Sequence, residues 1–441
     1  MGELRPAFAL NESLRRRLVR LIRGKERAPF HEEPGGEIEV MAAPDAPADD
    51  VPVDVVVTLN EVTHQHGTGP LVQRVLRGRE RIFSIRSRND WGGQDFGHWQ
   101  VRLPQRVESR PDWFRGVLSA LRAREVRQVL CVPYFPDELA TAVAIQAAYG
   151  ARLCAWIMDD QNVAGNAIPD ALMREFLERC SLRLTTHPEL RYVYERKYGL
   201  QFWLLPAVVP AHLIAAERHE EPVTRRCGAL LGSFWDQRWF DRTCAVLAES
   251  GCAVDWYGNN RSPWLRFPRE TMARAGITPL GIVPEEQLPS RLRQYPFVIV
   301  PAGELDAEEA NAGVAWLSLP GRILFALATA HTPLFILGSE KSCAARFVRH
   351  FVVGEVAPYS PARVRETIER LLSPETQSRY RKNAAVLAQR FSDDGVGAWL
   401  EESIAHGEPV SRRFEEAFEG YDGSAVARVL PARLWKERGF A

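Results

Sequence analysis

Short apolar runs alternate with helical patterns along most of the chain, and this alternation constrains the fold more than any other feature. Residues 51–59 have the length and the β-branched content of a buried strand, and a glycine-containing loop and a helical pattern follow them. Further strand-like runs lie at residues 81–87, 129–133, 152–158 and 182–186. Strands that alternate with helices in this way predict a mostly parallel sheet with helices on both faces.

The alternation stops at a charged stretch that contains Pro206, Pro210 and Pro222, and this predicts a linker near residues 207–226. Beyond it the pattern starts again. Strand-like runs at 228–231, 254–257, 297–300 and 334–337 alternate with helical segments at 239–250, 287–293, 322–329, 361–372 and 375–389.

A chain of 441 residues is too long for one ordinary core, which agrees with two domains. The sequence therefore predicts an α/β fold with two Rossmann-like domains, residues 51–210 and 225–390, that face each other across a cleft. Residues 1–50 precede them, and a helical tail at 391–441 could pack back on the first domain.

Charge and cysteine content narrow the class of protein. Lys and Arg number 56 and Asp and Glu number 56, and this balance argues against a nucleic-acid partner. The seven cysteines form no CxxC pair, so they predict buried thiols in a reducing compartment rather than disulfides or structural zinc. No apolar run has the length that spans a bilayer, and we expect a cytoplasmic protein.

The N-terminal segment is the exception to this neutral composition. Leucine and isoleucine recur at helical spacing within residues 10–27, and seven Lys and Arg residues lie between them. Such a helix could lie on an anionic membrane, which would make the protein peripheral on the inner face, or it could dock on the protein's own body. The acidic, Pro- and Gly-rich residues 29–50 predict a mobile linker or a surface loop.

Ligands of doubly wound sheets bind beyond the carboxyl ends of the strands, so the strand-to-helix turns are the candidate sites. The first such turn contains Gly67, Thr68 and Gly69, which could bring backbone close to a ligand or simply make a tight connection. Gly232 and Ser233 follow the first strand of the second domain. They offer amides and a hydroxyl to a phosphate, with Arg238 close behind as a countercharge.

The segment at residues 317–337 has the most specific pattern in the chain. Ser318 and Pro320 lie in a short loop that enters a helix at Arg322. Amides at Ser318 and Leu319, the helix N-terminus and the guanidinium of Arg322 are expected to converge on one anion.

Several side chains are candidates for the chemistry or for the acceptor. Asp159 and Asp160 end a strand of the first domain, where a carboxylate could act as a general base, bind acceptor hydroxyls or cap a helix. His66 and His187 lie in similar turns and could serve as acid or base, although a histidine in a surface loop is common. Trp91, in a glycine-rich loop, could stack on a sugar or pack within its own loop.

Together these segments resemble GT-B glycosyltransferases, most closely the family-4-like enzymes. The 317–337 stretch looks like the family's S-x-P-x-[KR] segment, and Gly258 lies at a strand end that resembles its G-x-G element. Residues 281–288, with Val283, are similar to the segment whose backbone holds the nucleobase. The resemblance implies a nucleotide-sugar donor, a glycan or lipid-linked acceptor, and no metal ion or other cofactor.

The chain also departs from that family. Its E-x7-E pattern is missing, because Phe325 holds the position of the second glutamate and no glutamate stands directly before Ser318. Glu304, Glu308 and Glu309 lie further upstream. The missing glutamates suggest a catalytically inactive binding protein as one alternative. A GT-B-like sugar-nucleotide epimerase, which would share the fold and the donor, is another. A nicotinamide-dependent dehydrogenase is disfavoured because no turn has the GxGxxG pattern.

Overall fold

The computed structural model describes residues 39–42, 51–59, 61–63, 67–79, 81–86, 96–103, 113–121, 124–165, 167–217, 221–259, 265–305 and 312–430. The chain divides into two compact units. The first comprises residues 1–186, 193–205 and 395–412, and the second comprises residues 187–192, 206–394 and 413–441.

The first unit contains an eight-stranded sheet with the order β1-β4-β3-β2-β5-β6-β7-β8. Adjacent strands are parallel, except that β1 runs antiparallel to β4. Its strands are β1 Glu39–Ala42, β2 Val53–Thr58, β3 Ile82–Arg86, β4 Trp99–Arg102, β5 Val126–Cys131, β6 Arg152–Ile157, β7 Leu182–Thr185 and β8 Trp203–Leu204.

Strand β2 shows why a central parallel strand has an almost continuous apolar sequence. All six of its residues are buried, because helices cover both faces of the sheet. Asp54 is the charged exception. Its carboxylate accepts hydrogen bonds from Arg79 at 3.1 Å and from Arg127 at 2.9 and 3.1 Å, so the buried charge is compensated.

Helices connect these strands and several of them end on a glycine. Gly150 follows a helix with φ of +67°, a conformation that favours glycine as a C-cap. The helices that belong to the first unit, wholly or in part, are α1 Thr68–Val75, α2 Trp113–Leu121, α3 Pro136–Tyr149, α4 Asp170–Arg179, α5 Pro188–Tyr198 and α14 Val396–His406. Helix α5 begins in the second unit and ends in the first, and α14 packs on α1 and β6.

The second unit contains a six-stranded, fully parallel sheet with the order β11-β10-β9-β12-β13-β14. Its strands are β9 Cys227–Leu231, β10 Ala253–Tyr257, β11 Ile277–Gly281, β12 Val298–Pro301, β13 Leu334–Leu337 and β14 Gly354–Ala357. Its helices are α6 Gln237–Ser250, α7 Arg269–Arg274, α8 Leu288–Leu292, α9 Ala312–Leu317, α10 Gly321–Ala330, α11 Cys343–Phe351, α12 Pro361–Leu372, α13 Pro374–Ala388 and α15 Arg413–Ala417.

Aromatic residues form much of the core beside β9 and β10. Phe234, Phe240, Trp256 and Phe267 contact one another with ring centroids 5.0–6.5 Å apart, mostly edge to face. This cluster anchors the loop that follows β9, because Phe234 belongs to that loop and is 3% exposed.

Two expectations from the sequence are corrected. Residues 39–42 form strand β1, although residues 29–50 were predicted to be a mobile linker or a surface loop. Backbone pairing to β4 needs no apolar run. The stretch that begins at Pro206 belongs to the second unit rather than to a free linker. It is held there by hydrogen bonds that Val209 makes to Phe391 at 2.8 Å and to Asp393 at 2.9 Å.

The prediction of buried thiols is confirmed, since all seven cysteines are free and buried. Among the residues that the structure describes, none of the helices has the length and hydropathy needed to cross a bilayer. The predicted basic helix at residues 10–27 lies outside the described residues.

Candidate functional site

The carboxyl ends of three adjacent strands in the second unit meet at glycine turns. Gly232 follows β9 with φ of +77°, a left-handed conformation that favours glycine. Its amide donates to Tyr257 at 2.9 Å, and the amide of Gly258 donates to Gly281 at 3.0 Å. A Cβ atom on Gly258 would lie 2.0 Å from the carbonyl oxygen of Gly232. Glycine is therefore required for the turns after β9 and β10 to approach this closely.

Arg322 reaches this edge from the first turn of α10. Its Nη1 donates to the carbonyl oxygens of Leu231 at 2.6 Å and Ser233 at 2.9 Å, on the two sides of Gly232. Desolvation by burial lowers the pKa of Arg322 to about 10, and no carboxylate in the described part of the chain offsets it. A guanidinium in such surroundings favours a bound anion. The structure thus brings together Gly232, Ser233, Gly258 and Arg322.

Ser318 and Leu319 lie in the loop between α9 and α10 and are 7% and 8% exposed. The expectation of a free amide at Ser318 is wrong, because that amide donates to the carbonyl of Val314 at 2.7 Å. The sequence did not predict α9, whose hydrogen bonding continues into Ser318. The amide of Leu319, the N-terminus of α10 and the guanidinium of Arg322 stay as the predicted anion site.

Arg238 and Val283 lie on neighbouring parts of the same unit. Arg238 is half-buried in the first turn of α6, a helix that Asp236 caps by accepting a hydrogen bond from Trp239 at 2.9 Å. Val283 is half-buried two residues beyond β11, next to Ile282, which is 50% exposed.

In the first unit the structure links two predicted residues through a third that was not predicted. The hydroxyl of Tyr134 donates to Oδ2 of Asp159 at 2.9 Å and lies 3.2 Å from the hydroxyl of Thr68. These residues come from the ends of β5 and β6 and from the start of α1. Thr68 was a candidate for contact with a ligand and Asp159 a candidate general base, so one small cluster holds both.

Asp160 has a different environment from its neighbour. Its Oδ1 accepts from the amides of Asn162 and Val163 at 3.0 and 2.7 Å, and its Oδ2 accepts from those of Ala164 and Gly165 at 2.6 and 2.9 Å. These bonds fix the loop after β6. Asp160 therefore holds the backbone, and the role of general base stays a prediction for Asp159.

The glycine turn at the start of α1 also has a packing explanation. A Cβ atom on Gly69 would lie 2.0 Å from the carbonyl oxygen of Thr63, so the helix could not approach that segment with a larger residue. Gly67 has nothing within 4 Å of its own Cβ position and is exposed. His66 and Trp91 lie outside the described residues.

His187 is buried rather than accessible. Its Nε2 donates to the carbonyl of Leu317 at 2.8 Å, and its Nδ1 accepts from the amide of Leu190 at 3.4 Å. Desolvation lowers the pKa of His187 to about 4, so it is neutral near pH 7. The expected catalytic role is therefore replaced by a structural one, because both ring nitrogens are engaged in the core.

His187 also belongs to a group of three possible metal ligands. Its ring, Glu189 and Cys343 place ligand atoms within 4.8 Å of one another. However, Glu189 pairs with Arg346 and accepts from the Tyr421 hydroxyl at 2.6 Å, and burial raises the pKa of the Cys343 thiol well above its usual value. A metal ion would meet the guanidinium of Arg346, so these residues fit a closed hydrogen-bond network better than a metal centre.

Among the described residues of this unit, no side chain evidently replaces the glutamates of the E-x7-E pattern. Phe325 is 7% exposed within α10. Glu304 accepts a hydrogen bond from the amide of Tyr359 at 2.9 Å, which ties it to the segment before α12. Glu308 and Glu309 lie outside the described residues.

No protein-family model and no curated protein sequence matches the chain. Solved structures do match its fold. Trehalose-6-phosphate synthase (OtsA) matches with a TM-score of 0.52 and 9% identity, over 81% of this chain and 100% of that chain. The N-terminal domain of trehalose-6-phosphate phosphatase from Candida albicans matches with a TM-score of 0.52 and 8% identity, over 80% and 97%. WaaG, a glycosyltransferase of lipopolysaccharide biosynthesis, matches with a TM-score of 0.45 and 12% identity, over 79% and 99%.

The chain therefore has the fold of the GT-B glycosyltransferases, with two Rossmann-like α/β units. At these identities the similarity establishes the fold, and the closer resemblance to family-4-like enzymes stays a prediction.

Proposed function

We propose that the protein transfers a sugar from a nucleoside-diphosphate sugar to a hydroxyl group of a glycan or lipid-linked acceptor. The observation that carries this proposal is the guanidinium of Arg322, which is desolvated, has no acidic partner among the residues that the structure describes and lies beside the Gly232 turn. In a GT-B fold, a diphosphate is the anion that such a position would suit.

The second unit is proposed to bind the donor. The amides at the start of α10 and the charge of Arg322 would face the diphosphate, and Ser233, which is exposed, could add a hydroxyl. Arg238 would be a second countercharge, and the backbone near Val283 would hold the nucleobase. These positive groups would stabilise the leaving diphosphate, so the proposal includes no metal ion or other cofactor.

The first unit is proposed to bind the acceptor near Thr68 and Asp159. Asp159 would accept the proton of the acceptor hydroxyl as its oxygen attacks the anomeric carbon. The bond between that carbon and the diphosphate would break, and the diphosphate would leave with the electron pair. Such a single displacement would invert the anomeric configuration, and one carboxylate suffices as its general base.

A protein that binds nucleotide sugars without transferring them is the second candidate. It is favoured by Phe325 at the position where the resembling enzymes have a glutamate, and by Glu304, which is engaged with Tyr359. It predicts nucleotide binding through Arg322 without turnover.

Calorimetry with UDP, GDP, ADP, dTDP and CMP would test the donor site first. Arg322→Ala should weaken the binding of the preferred nucleotide about 10- to 150-fold, the range for a charge-assisted contact of about 1.5–3 kcal/mol. Arg291→Ala is the matched control, since Arg291 is exposed on α8 of the same unit. If no nucleotide binds, or if Arg322→Ala binds as the wild type does, the donor site is wrong.

Turnover would then be measured with the matching radiolabelled nucleotide sugars, by release of nucleotide with and without acceptor extracts. Acceptor-dependent release supports transfer. Tight binding without any release would favour the binding protein instead.

A further inference from the structure

A residue outside the sequence-predicted set stands next to the proposed base. Tyr134 lies three residues beyond β5, and its hydroxyl oxygen is 2.9 Å from Oδ2 of Asp159 and 3.2 Å from the hydroxyl oxygen of Thr68. A phenol has a single proton to donate. Because that proton goes to Asp159, the hydrogen bond with Thr68 must run from Thr68 to Tyr134.

The backbone that carries Tyr134 is held firmly. The side chain of Glu138, which is fully buried, accepts from the amides of Tyr134 and Phe135, both at 2.7 Å from its Oε2. Glu138 lies in the first turn of α3, so a capping interaction fixes the tyrosine to the helix. A phenol on such a support can hold a carboxylate in one orientation.

The hydroxyl also remains a donor over the whole accessible pH range. Burial and the nearby carboxylate of Asp159 raise the pKa of Tyr134 well above 10. Tyr134 therefore keeps its proton when Asp159 takes one from an acceptor.

We propose that Tyr134 is the positioning residue of the general base, and that Thr68, Tyr134 and Asp159 form a directed hydrogen-bond chain that orients the Asp159 carboxylate and keeps it ionised. The proposal rests on the proposed function, in which Asp159 is the base. Tyr134 gives up no proton in the reaction, and the proton of the acceptor goes to Asp159.

The charged and titratable groups around this hydrogen-bond chain come from several elements. Tyr134 and Glu138 face it from the β5–α3 connection and α3, and Glu138 adds negative charge near the phenol. Asp160 is next in sequence but directs its oxygens to the loop at residues 162–165 and lies 3.4 Å from the Tyr194 hydroxyl of α5. The hydrogen bond that Tyr134 donates favours the ionised form of the Asp159 carboxylate.

The test is the titration of Asp159 in the intact protein by NMR, with aspartate labelled at the carboxyl carbon and the Asp159 signal assigned by its loss in Asp159→Asn. Tyr134→Phe removes one hydroxyl and should raise the pKa of Asp159 by about one unit. Tyr149→Phe is the control, because the Tyr149 hydroxyl bonds to the carbonyl of Leu118 instead. An Asp159 pKa that is the same in Tyr134→Phe and the wild type would overturn the proposal.

Thr68→Val supplies a second measurement, should Tyr134→Phe fold poorly. It leaves the phenol in place and removes the donor to it, so the Asp159 pKa should rise by less than one unit. No change in this variant would contradict the directed chain.

Activity measurements distinguish a failure of the Tyr134 proposal from a failure of the proposed function. If the protein turns over a donor and acceptor, the acidic limb of kcat/KM against pH should move upward in Tyr134→Phe by the amount seen in the titration. Full turnover by Asp159→Asn would refute Asp159 as the base, and the hydrogen-bond chain would then have no catalytic role. The NMR titration would still decide whether the hydrogen bond from Tyr134 affects Asp159.

Discussion

Replacing Arg322 by methionine should separate the stability of the protein from its ability to bind nucleotides. Desolvation lowers the pKa of Arg322 from 12.5 to about 10. At about 1.4 kcal/mol per pH unit, this difference corresponds to about 3 kcal/mol by which folding disfavours the charged form. The value is an upper figure because the residue keeps part of its surface exposed. Methionine removes the charge and keeps most of the apolar stem.

The same substitution removes two hydrogen bonds to carbonyl oxygens, at 2.6 and 2.9 Å. Each contributes about 1–1.5 kcal/mol net, so their loss costs about 2–3 kcal/mol. The two effects nearly cancel. We expect the free energy of unfolding of the ligand-free variant to lie within about 1 kcal/mol of the wild type.

Nucleotide binding should respond quite differently. If the contact with the diphosphate is lost, affinity falls by up to about 100-fold, towards the upper end of the expected range. At a ligand concentration 100 times the wild-type Kd, the nucleotide stabilises the wild type by about 2.7 kcal/mol and the variant by about 0.4 kcal/mol. Urea unfolding with and without the nucleotide chosen by calorimetry measures both quantities in one series.

Two results would refute this reasoning. Equal stabilisation of both proteins by nucleotide would show that Arg322 does not contact the phosphates. A loss of more than about 3 kcal/mol in the ligand-free variant would mean that Arg322 serves chiefly to hold the β9–α6 loop. Arg322→Lys, which keeps a charge, and Arg291→Met, on the exposed face of α8, are the controls.

Three further predictions concern the rest of the chain. Asp159→Asn should lower turnover by about two or more orders of magnitude and leave nucleotide affinity unchanged. Asp160→Asn should mainly destabilise the fold, because its side-chain amide would face two backbone N–H donors. Kinetics and urea unfolding of both variants would distinguish these effects. Burial lowers the pKa of His187 from 6.5 in the unfolded state to about 4 in the folded state. The unfolded state therefore binds more protons between these pH values. The free energy of unfolding should fall by about 3 kcal/mol as the pH drops from 6.5 to 4. His187→Gln should remove this slope and the exposed His212→Gln should keep it. Deleting residues 1–28 should abolish binding to anionic liposomes in a flotation assay at low salt and leave transfer to a soluble acceptor intact. If the full-length protein does not bind the liposomes in this assay, residues 10–27 are not a membrane-binding helix.

The central strands could be predicted because burial on both faces gives an uninterrupted apolar run. The predicted 334–337 coincides with β13, and the other predicted strands overlap β2, β3, β5, β6, β7, β9, β10 and β12. The strands without a prediction lie mostly towards the edges of the sheets, where fewer side chains are buried. In β11, three of five residues are exposed and one is Pro279, so neither hydrophobicity nor composition indicated a strand.

The sequence indicated which residues could belong to the candidate site, but not which groups they hydrogen-bond to. The sequence shows two adjacent aspartates, and only the backbone amides of residues 162–165 reveal which of them is engaged. Tyr134 lies between Pro133 and Phe135, where an aromatic residue suggests core packing, and its bond to a carboxylate 25 positions away is a product of the sheet order. The burial of His187 likewise depends on Leu317 and Cys343, which lie far along the chain.

The membership of α14 in the first unit has a consequence for biosynthesis. This helix packs on α1 and β6, although some two hundred residues of the second unit are translated before it. An N-terminal domain usually folds as it leaves the ribosome. Here the growing polypeptide cannot complete its first Rossmann-like unit until residue 412 has emerged, after residues 206–394 of the second unit. A stop codon anywhere between residues 206 and 395 would therefore leave both units unfinished, and nascent chains of this protein should depend on protection by chaperones longer than their domain count suggests.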